Sequence, residues 1–244
     1  MMSDPYLYKG TKVLRNLLGL HDEKALELAE AEFSSANMML LYEKGFSDFT
    51  IDGIRAIHKT LFEDIYDWAG DFRIINIYKR EEILAGKSVW YANYDDIERD
   101  LEIGWSRINA ISWETLNRDD FVKNITQTFP VLWQAHPFRD GNTRTIVMLM
   151  TFFVEHYGYY LDQELLATSA GYVRNAFVLC SFDEHSEYEH LEKILLDTIS
   201  EFPIPETDAS DETESIEKTR KYEKYYIENY KPTQHEYRED DNIK

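Results

Sequence analysis

Nine consecutive residues hold the side chains best suited to chemistry: His136-Pro137-Phe138-Arg139-Asp140-Gly141-Asn142-Thr143-Arg144. His136 is the group in this run able to act as a general base near neutral pH. Asp140 is an oxygen ligand suited to magnesium carried on a nucleotide phosphate. Gly141 lets backbone approach a phosphate closely. Asn142 can cap the helix that follows or take a left-handed turn. Arg144 falls in the first turn of that helix, which is unfavourable against the dipole unless an anion compensates it. Any one of these residues is ordinary in a helix–loop–helix corner. Five such types within one short loop point to an anion site at a helix N-terminus.

Two apolar segments must hold that loop. Phe129, Val131, Leu132, Trp133 and Ala135 precede it, and Ile146 to Phe153 follow. Helical periodicity runs over Arg118–Ala135 and Thr143–Tyr157. Upstream, the pattern predicts a short helix over Val13–Leu18, a longer one from Leu26 closing at Gly45, and a third capped by Thr50. That third helix carries Ile54, Ile57, His58 and Leu61 on one face. Residues 72–78 and 88–91 are rich in β-branched and aromatic types around a polar turn. They read as two strands of a hairpin in an otherwise helical chain. Helices are expected again over Tyr94–Ile111, Asp162–Cys180 and Ser186–Phe202. Tyr172, Arg174 and Asn175 read equally as helix-surface residues and as groups reaching toward a base.

The chain has 244 residues, with 26 Lys and Arg against 46 Asp and Glu, a formal net charge of −20. So acidic a chain lacks the basic face that nucleic acid or an anionic membrane needs, and neither is expected as a partner. One cysteine, Cys180, excludes an intramolecular disulfide and a Cys-based zinc site. There is no bilayer-length apolar run and no signal-like start, so the chain reads as cytoplasmic. Export without a cleaved signal stays open. From Glu206 onward there are twelve acids, seven bases and five tyrosines. That stretch reads as a solvated tail or as an exposed helix near Ser215–Tyr230.

The nine-residue run resembles the core motif of the Fic family, His-Pro-Phe-x-(Asp/Glu)-Gly-Asn-(Gly/Lys)-Arg. His58 to Arg73, with Tyr66-Asp67-Trp68-Ala69-Gly70-Asp71-Phe72-Arg73 at its end, is similar to the family's helix leading into a flap. Asp4-Pro5-Tyr6-Leu7-Tyr8 and Leu14-Arg15-Asn16 resemble the start of bacterial members. The resemblance implies a mostly α-helical Fic-type domain with a single β-hairpin flap over 52–202. A helical extension over 1–51 precedes it and an acidic, Tyr-containing tail over 203–244 follows. It implies transfer of AMP from ATP, with Mg2+, to a Ser, Thr or Tyr hydroxyl of a target protein. In that reading His136 is the base and Asp140 holds the metal. Gly141, Asn142 and Thr143 cradle phosphate, and Arg144 neutralises the leaving diphosphate. The flap over Ile74–Trp90 docks the target, with Lys79 and Arg80 placed to face the nucleotide. Those two read equally as solvated loop charges.

Two positions depart from the family pattern. Thr143 stands where Gly or Lys is usual. Val147 stands where many members carry a second Arg, which contacts the γ-phosphate and pairs with an inhibitory Glu. No complete inhibitory pattern is found in the chain; Ser210–Ser215 comes nearest. A separate small antitoxin protein is therefore the simplest source of inhibition, consistent with a toxin-like enzyme. The alternatives are Fic-type transfer of another group (UMP, phosphocholine or phosphoryl) and a non-catalytic Fic-shaped regulatory module.

Overall fold

The computed structural model describes residues 4–182 and 185–203. Eight α-helices form among them: α1 Glu23–Lys44, α2 Ile51–Phe62, α3 Ile97–Asn109, α4 Arg118–Ala135, α5 Asn142–His156, α6 Gln163–Thr168, α7 Ala170–Cys180 and α8 Glu189–Thr198. A two-residue antiparallel pair, β1 Tyr160–Leu161 and β2 Ile199–Ser200, joins the end of α8 to the turn after α5. None of the described helices is long and apolar enough to cross a membrane.

Local signals explain several helix ends. The Thr50 hydroxyl accepts the Gly53 N–H at 3.1 Å and starts α2. Asn117 accepts the Asp120 N–H at 2.9 Å and starts α4. Gly45 closes α1 in a positive-φ turn. Ile54, Ile57 and Leu61 of α2 pack in one core with Phe129 and Leu132 of α4 and Ile146, Leu149 and Val154 of α5. The apolar faces of α4 and α5 thereby clamp the loop between them.

Three helix expectations are corrected. Residues 13–18 are not helical. Leu7 and Leu14 form an antiparallel bridge, and the Asn16 amide bonds the carbonyls of Leu14 and Leu20. Those side-chain bonds hold the segment in turns, so it packs through Val13 and Leu14 while Leu17 stays exposed. The helix expected over Asp162–Cys180 is interrupted at Ser169 into α6 and α7. The last expected helix ends at Thr198, because Ile199–Ser200 pair with β1 and the Ile199 carbonyl accepts from Arg118.

The segment 74–90 makes the expected out-and-back excursion without a laddered pair of strands. Its antiparallel bridge is Glu81 with Lys87, around a 3₁₀ turn at Glu82–Leu84. Side chains supply the rungs instead. The Lys79 N–H donates to Ser88 Oγ, and the Tyr94 N–H donates to Asn76 Oδ1. Arg73 donates to the carbonyls of Ile75 and Ala92 at the base of the two arms. Apart from Pro203, the expected tail lies outside the described residues, as does Ser210–Ser215.

Candidate active site

The α4 helix ends by turning His136 into the left-handed region, φ 46°. Its N–H donates to the Trp133 carbonyl at 3.0 Å, and its own carbonyl accepts Arg73 Nε at 2.8 Å. The imidazole is 2% exposed, with the Tyr91 ring 4.1 Å away. Neither ring nitrogen meets a protein partner. Burial holds its pKa well below the ordinary value, and Lys79, Arg73 and Arg174 lower it further. A neutral imidazole with an unpartnered basic nitrogen is the form able to take up a proton.

Asp140 follows four residues on. Burial pushes its carboxyl up, but Lys79, Arg144, the Gly141 N–H and Arg139 outweigh that and hold its pKa at about 2. The Gly141 N–H donates to Asp140 Oδ1 at 2.6 Å. Gly141 itself is left-handed, φ 77°, at the start of α5. Asn142 does not cap α5 with its side chain. Its amide instead brackets Phe138, accepting that residue's N–H at 2.9 Å and donating to its carbonyl at 2.8 Å. The loop is thereby locked on itself, and the first N–H groups of α5 remain for an anion. Thr143 Oγ accepts the Trp133 indole N–H at 2.9 Å.

Arg144 has its compensating anion within the chain. Its guanidinium lies 3.3 Å from Glu30 of α1 and 3.0 Å from the Ser34 hydroxyl, over the Phe62 ring at 4.6 Å. Tyr66 donates to the other oxygen of Glu30 at 2.5 Å. Burial and the facing Asp140 raise the Glu30 pKa, against the pull of Arg144. No spacing signal in the sequence marks Glu30, which lies 114 positions from Arg144.

Three more supports escaped the sequence reading. Arg139 is 1% exposed and donates twice to Asp4, which pins the chain start to the loop. The His58 ring stacks on Phe138 at 3.7 Å. Its Nδ1 accepts the Gly70 N–H at 2.8 Å, so Nε2 carries the proton and donates to the Asp140 carbonyl at 3.1 Å. Burial drives the His58 pKa down to about 3. Arg73, 1% exposed, ties the base of the excursion to the His136 carbonyl. Its place in the quoted run ending Ala69-Gly70-Asp71-Phe72-Arg73 was a signal that could have found it.

A cavity of about 300 Å³ is lined by His136, Asp140, Gly141, Asn142, Thr143 and Arg144, with Lys79 from the excursion and Arg174 from α7. Arg80 is exposed and outside that lining. Tyr172 instead donates to the His190 carbonyl. Val147 lies on the wall of a second, mostly apolar cavity of about 710 Å³ between α1, α5, α6 and α7. The donor set of the first cavity fits a magnesium-bound nucleotide phosphate. It combines the ionised Asp140 carboxylate, an open helix N-terminus, flanking cations and an unpartnered buried imidazole, with Glu30 on the opposite wall.

Residues 48–154 match the sequence profile of the Fic/DOC family. The chain is 30% identical over 167 residues to the probable protein adenylyltransferase y4lH of Sinorhizobium fredii, covering 68% of this chain and 82% of that one. It is 31% identical over 162 residues to the protein adenylyltransferase VbhT of Bartonella schoenbuchensis, covering 66% of this chain and 32% of that longer protein. Among solved structures, the N-terminal Fic domain of a VirB-translocated Bep effector from Bartonella quintana superposes with TM-score 0.67 at 25% identity, over 80% of this chain and 91% of that one. The fold alone is shared with BepC of Bartonella tribocorum, solved with AMPPNP, at TM-score 0.70 and 22% identity, over 84% and 99% of the two chains.

Proposed function

The chain belongs to the Fic/DOC family, and from that premise we propose that it is a protein adenylyltransferase moving AMP from ATP to a hydroxyl of a target protein. The observation that carries this reading is His136, a buried neutral imidazole with no protein partner beside the ionised Asp140 and the open start of α5.

In this mechanism a Ser, Thr or Tyr hydroxyl of the target gives its proton to His136. Its oxygen forms a bond to the α-phosphorus of ATP, and the bond from that phosphorus to the β-bridging oxygen breaks. Diphosphate leaves with the electron pair. Arg144 and Lys79 lie on the cavity wall where they can offset its charge. Asp140 would hold magnesium, which supplies charge neutralisation on the phosphates when bound. The N–H groups of Asn142, Thr143 and Arg144 would take phosphate oxygens. The excursion 74–90 is the docking surface for the target. Ile74 and Trp90 are exposed on its two arms, and its backbone has few rungs of its own, which suits strand addition. Inhibition is assigned to a separate small protein.

Purified protein incubated with magnesium, a cell lysate and ATP labelled at the α-phosphate tests this. Label is expected to enter protein from the α position and not from the γ position. His136→Ala is expected to lose about 10²–10⁴-fold of the transfer rate while keeping ATP binding. Equal rates in variant and parent would remove His136 as the base, and transfer of γ-label would favour a phosphoryl-transfer enzyme.

A further inference from the structure

Glu81 is 1% exposed, and Arg174 of α7 meets it in a two-pronged contact. Nη1 donates to Oε2 and Nη2 to Oε1, each at 2.8 Å. The Tyr91 hydroxyl reaches the same carboxylate at 3.4 Å, and the Tyr91 ring flanks His136. The backbone of Glu81 also closes the tip of the excursion. Its N–H donates to the Lys87 carbonyl at 2.9 Å, and its carbonyl accepts from Gly86 at 2.9 Å. Lys79 lies two residues earlier, on the same side of an extended chain, and lines the cavity with His136 and Asp140. One carboxylate thus joins the tip of the excursion, its cavity-facing lysine and a helix of the domain core.

We propose that Arg174 and Glu81 form a clasp that seats the excursion over the nucleotide cavity, which makes Arg174 a positioning residue and not a ligand for phosphate. The proposal rests on the adenylyl-transfer reading for its activity readout alone. An arginine suits the role because its planar fork matches a carboxylate at two points. An arm without a backbone ladder is a segment that opens locally unless tethered. Turning Arg174 toward a phosphate would leave the Glu81 carboxylate buried and uncompensated, which opposes that use.

Glu81→Gln conserves shape, breaks the ionic clasp and leaves the Arg174 charge in place; Arg174→Lys keeps a charge and loses the fork. Trypsin reads the seating at Lys87, which is exposed and not adjacent in sequence to the substituted Glu81. Both variants are expected to be cut at Lys87 about tenfold faster than the parent. Magnesium–ATP affinity of Glu81→Gln, read by calorimetry, is expected to stay within about threefold, while kcat/KM for the protein target falls about tenfold. The double variant Glu81→Gln with Arg174→Lys is expected to be no worse than the worse single one. Unchanged tryptic cleavage in Glu81→Gln would overturn the clasp. So would ATP binding that tightens with full transfer, the mark of an arginine that Glu81 merely restrains. Faster cleavage in a protein that transfers no AMP in any form would uphold the clasp and defeat the functional reading instead.

Discussion

Replacing Gly141 by alanine probes how the loop reaches the start of α5. A Cβ there would lie 2.4 and 2.6 Å from two carbons of the Phe62 ring and 3.2 Å from His58 Nε2. Phe62 is 1% exposed and His58 0%, so neither ring can swing into solvent. The left-handed backbone costs alanine about 1–2 kcal/mol. Forcing a methyl into packed core costs about 1–3 kcal/mol. A stiffer unfolded chain returns about 0.4–1 kcal/mol. The net loss is about 3 kcal/mol. Gly158 provides the control, since it has φ +82° with nothing within 4 Å of its would-be Cβ. Alanine there meets the backbone cost alone, about 1 kcal/mol. In a chain of this size 1 kcal/mol moves Tm by about 3 °C, so scanning calorimetry should show losses of about 3 °C for Gly158→Ala and about 9 °C for Gly141→Ala. Titration with magnesium–ATP should show at least about tenfold weaker binding for Gly141→Ala only, because its N–H groups are displaced from the phosphate. Equal Tm losses would refute the wall formed by Phe62 and His58. Unchanged ATP affinity would refute the backbone cradle.

Glu30→Gln removes an anion from the phosphate cavity and frees Arg144, so magnesium–ATP should bind about three- to tenfold tighter by calorimetry; weaker binding would mean that Glu30 orients Arg144 for the nucleotide. Burial and Asp140 raise the Glu30 pKa above 4.5, so the folded state holds that proton more readily than the unfolded one. The contribution of Glu30 to stability therefore falls as pH rises past that value, and Glu30→Gln should unfold at higher urea than the parent near neutral pH. The two buried imidazoles act in the opposite sense. His58 is lowered from 6.5 to about 3 and His136 also lies well below 6.5, so the unfolded chain takes up protons first as pH falls. Stability is full above about pH 6.5 and is lost below it. His58→Gln, which keeps a donor toward the Asp140 carbonyl, should flatten that decline in urea titrations between about pH 5 and pH 7; an unchanged slope would remove His58 as its source.

Elements whose signals are local are readable along the chain. Thr50, Asn117 and Gly45 mark helix ends through bonds spanning three or four residues. The apolar faces of α2, α4 and α5 repeat at helical spacing, and the loop from His136 to Arg144 is contiguous, so its chemistry was legible as a string. Local signals misled where a side chain took over backbone bonding. Asn16 held 13–18 out of a helix, and Ser88, Asn76 and Arg73 replaced the strand ladder of the excursion. Which charges meet depends on how the helices pack. Arg144 pairs with Glu30 across 114 positions, Arg174 with Glu81 across 93, and Arg139 with Asp4 across 135. Hydrophobic periodicity and capping patterns reach about four residues along a chain. A buried ion pair is selected by packing of whole helices, which brings distant side chains into a low-dielectric space where each must find a partner.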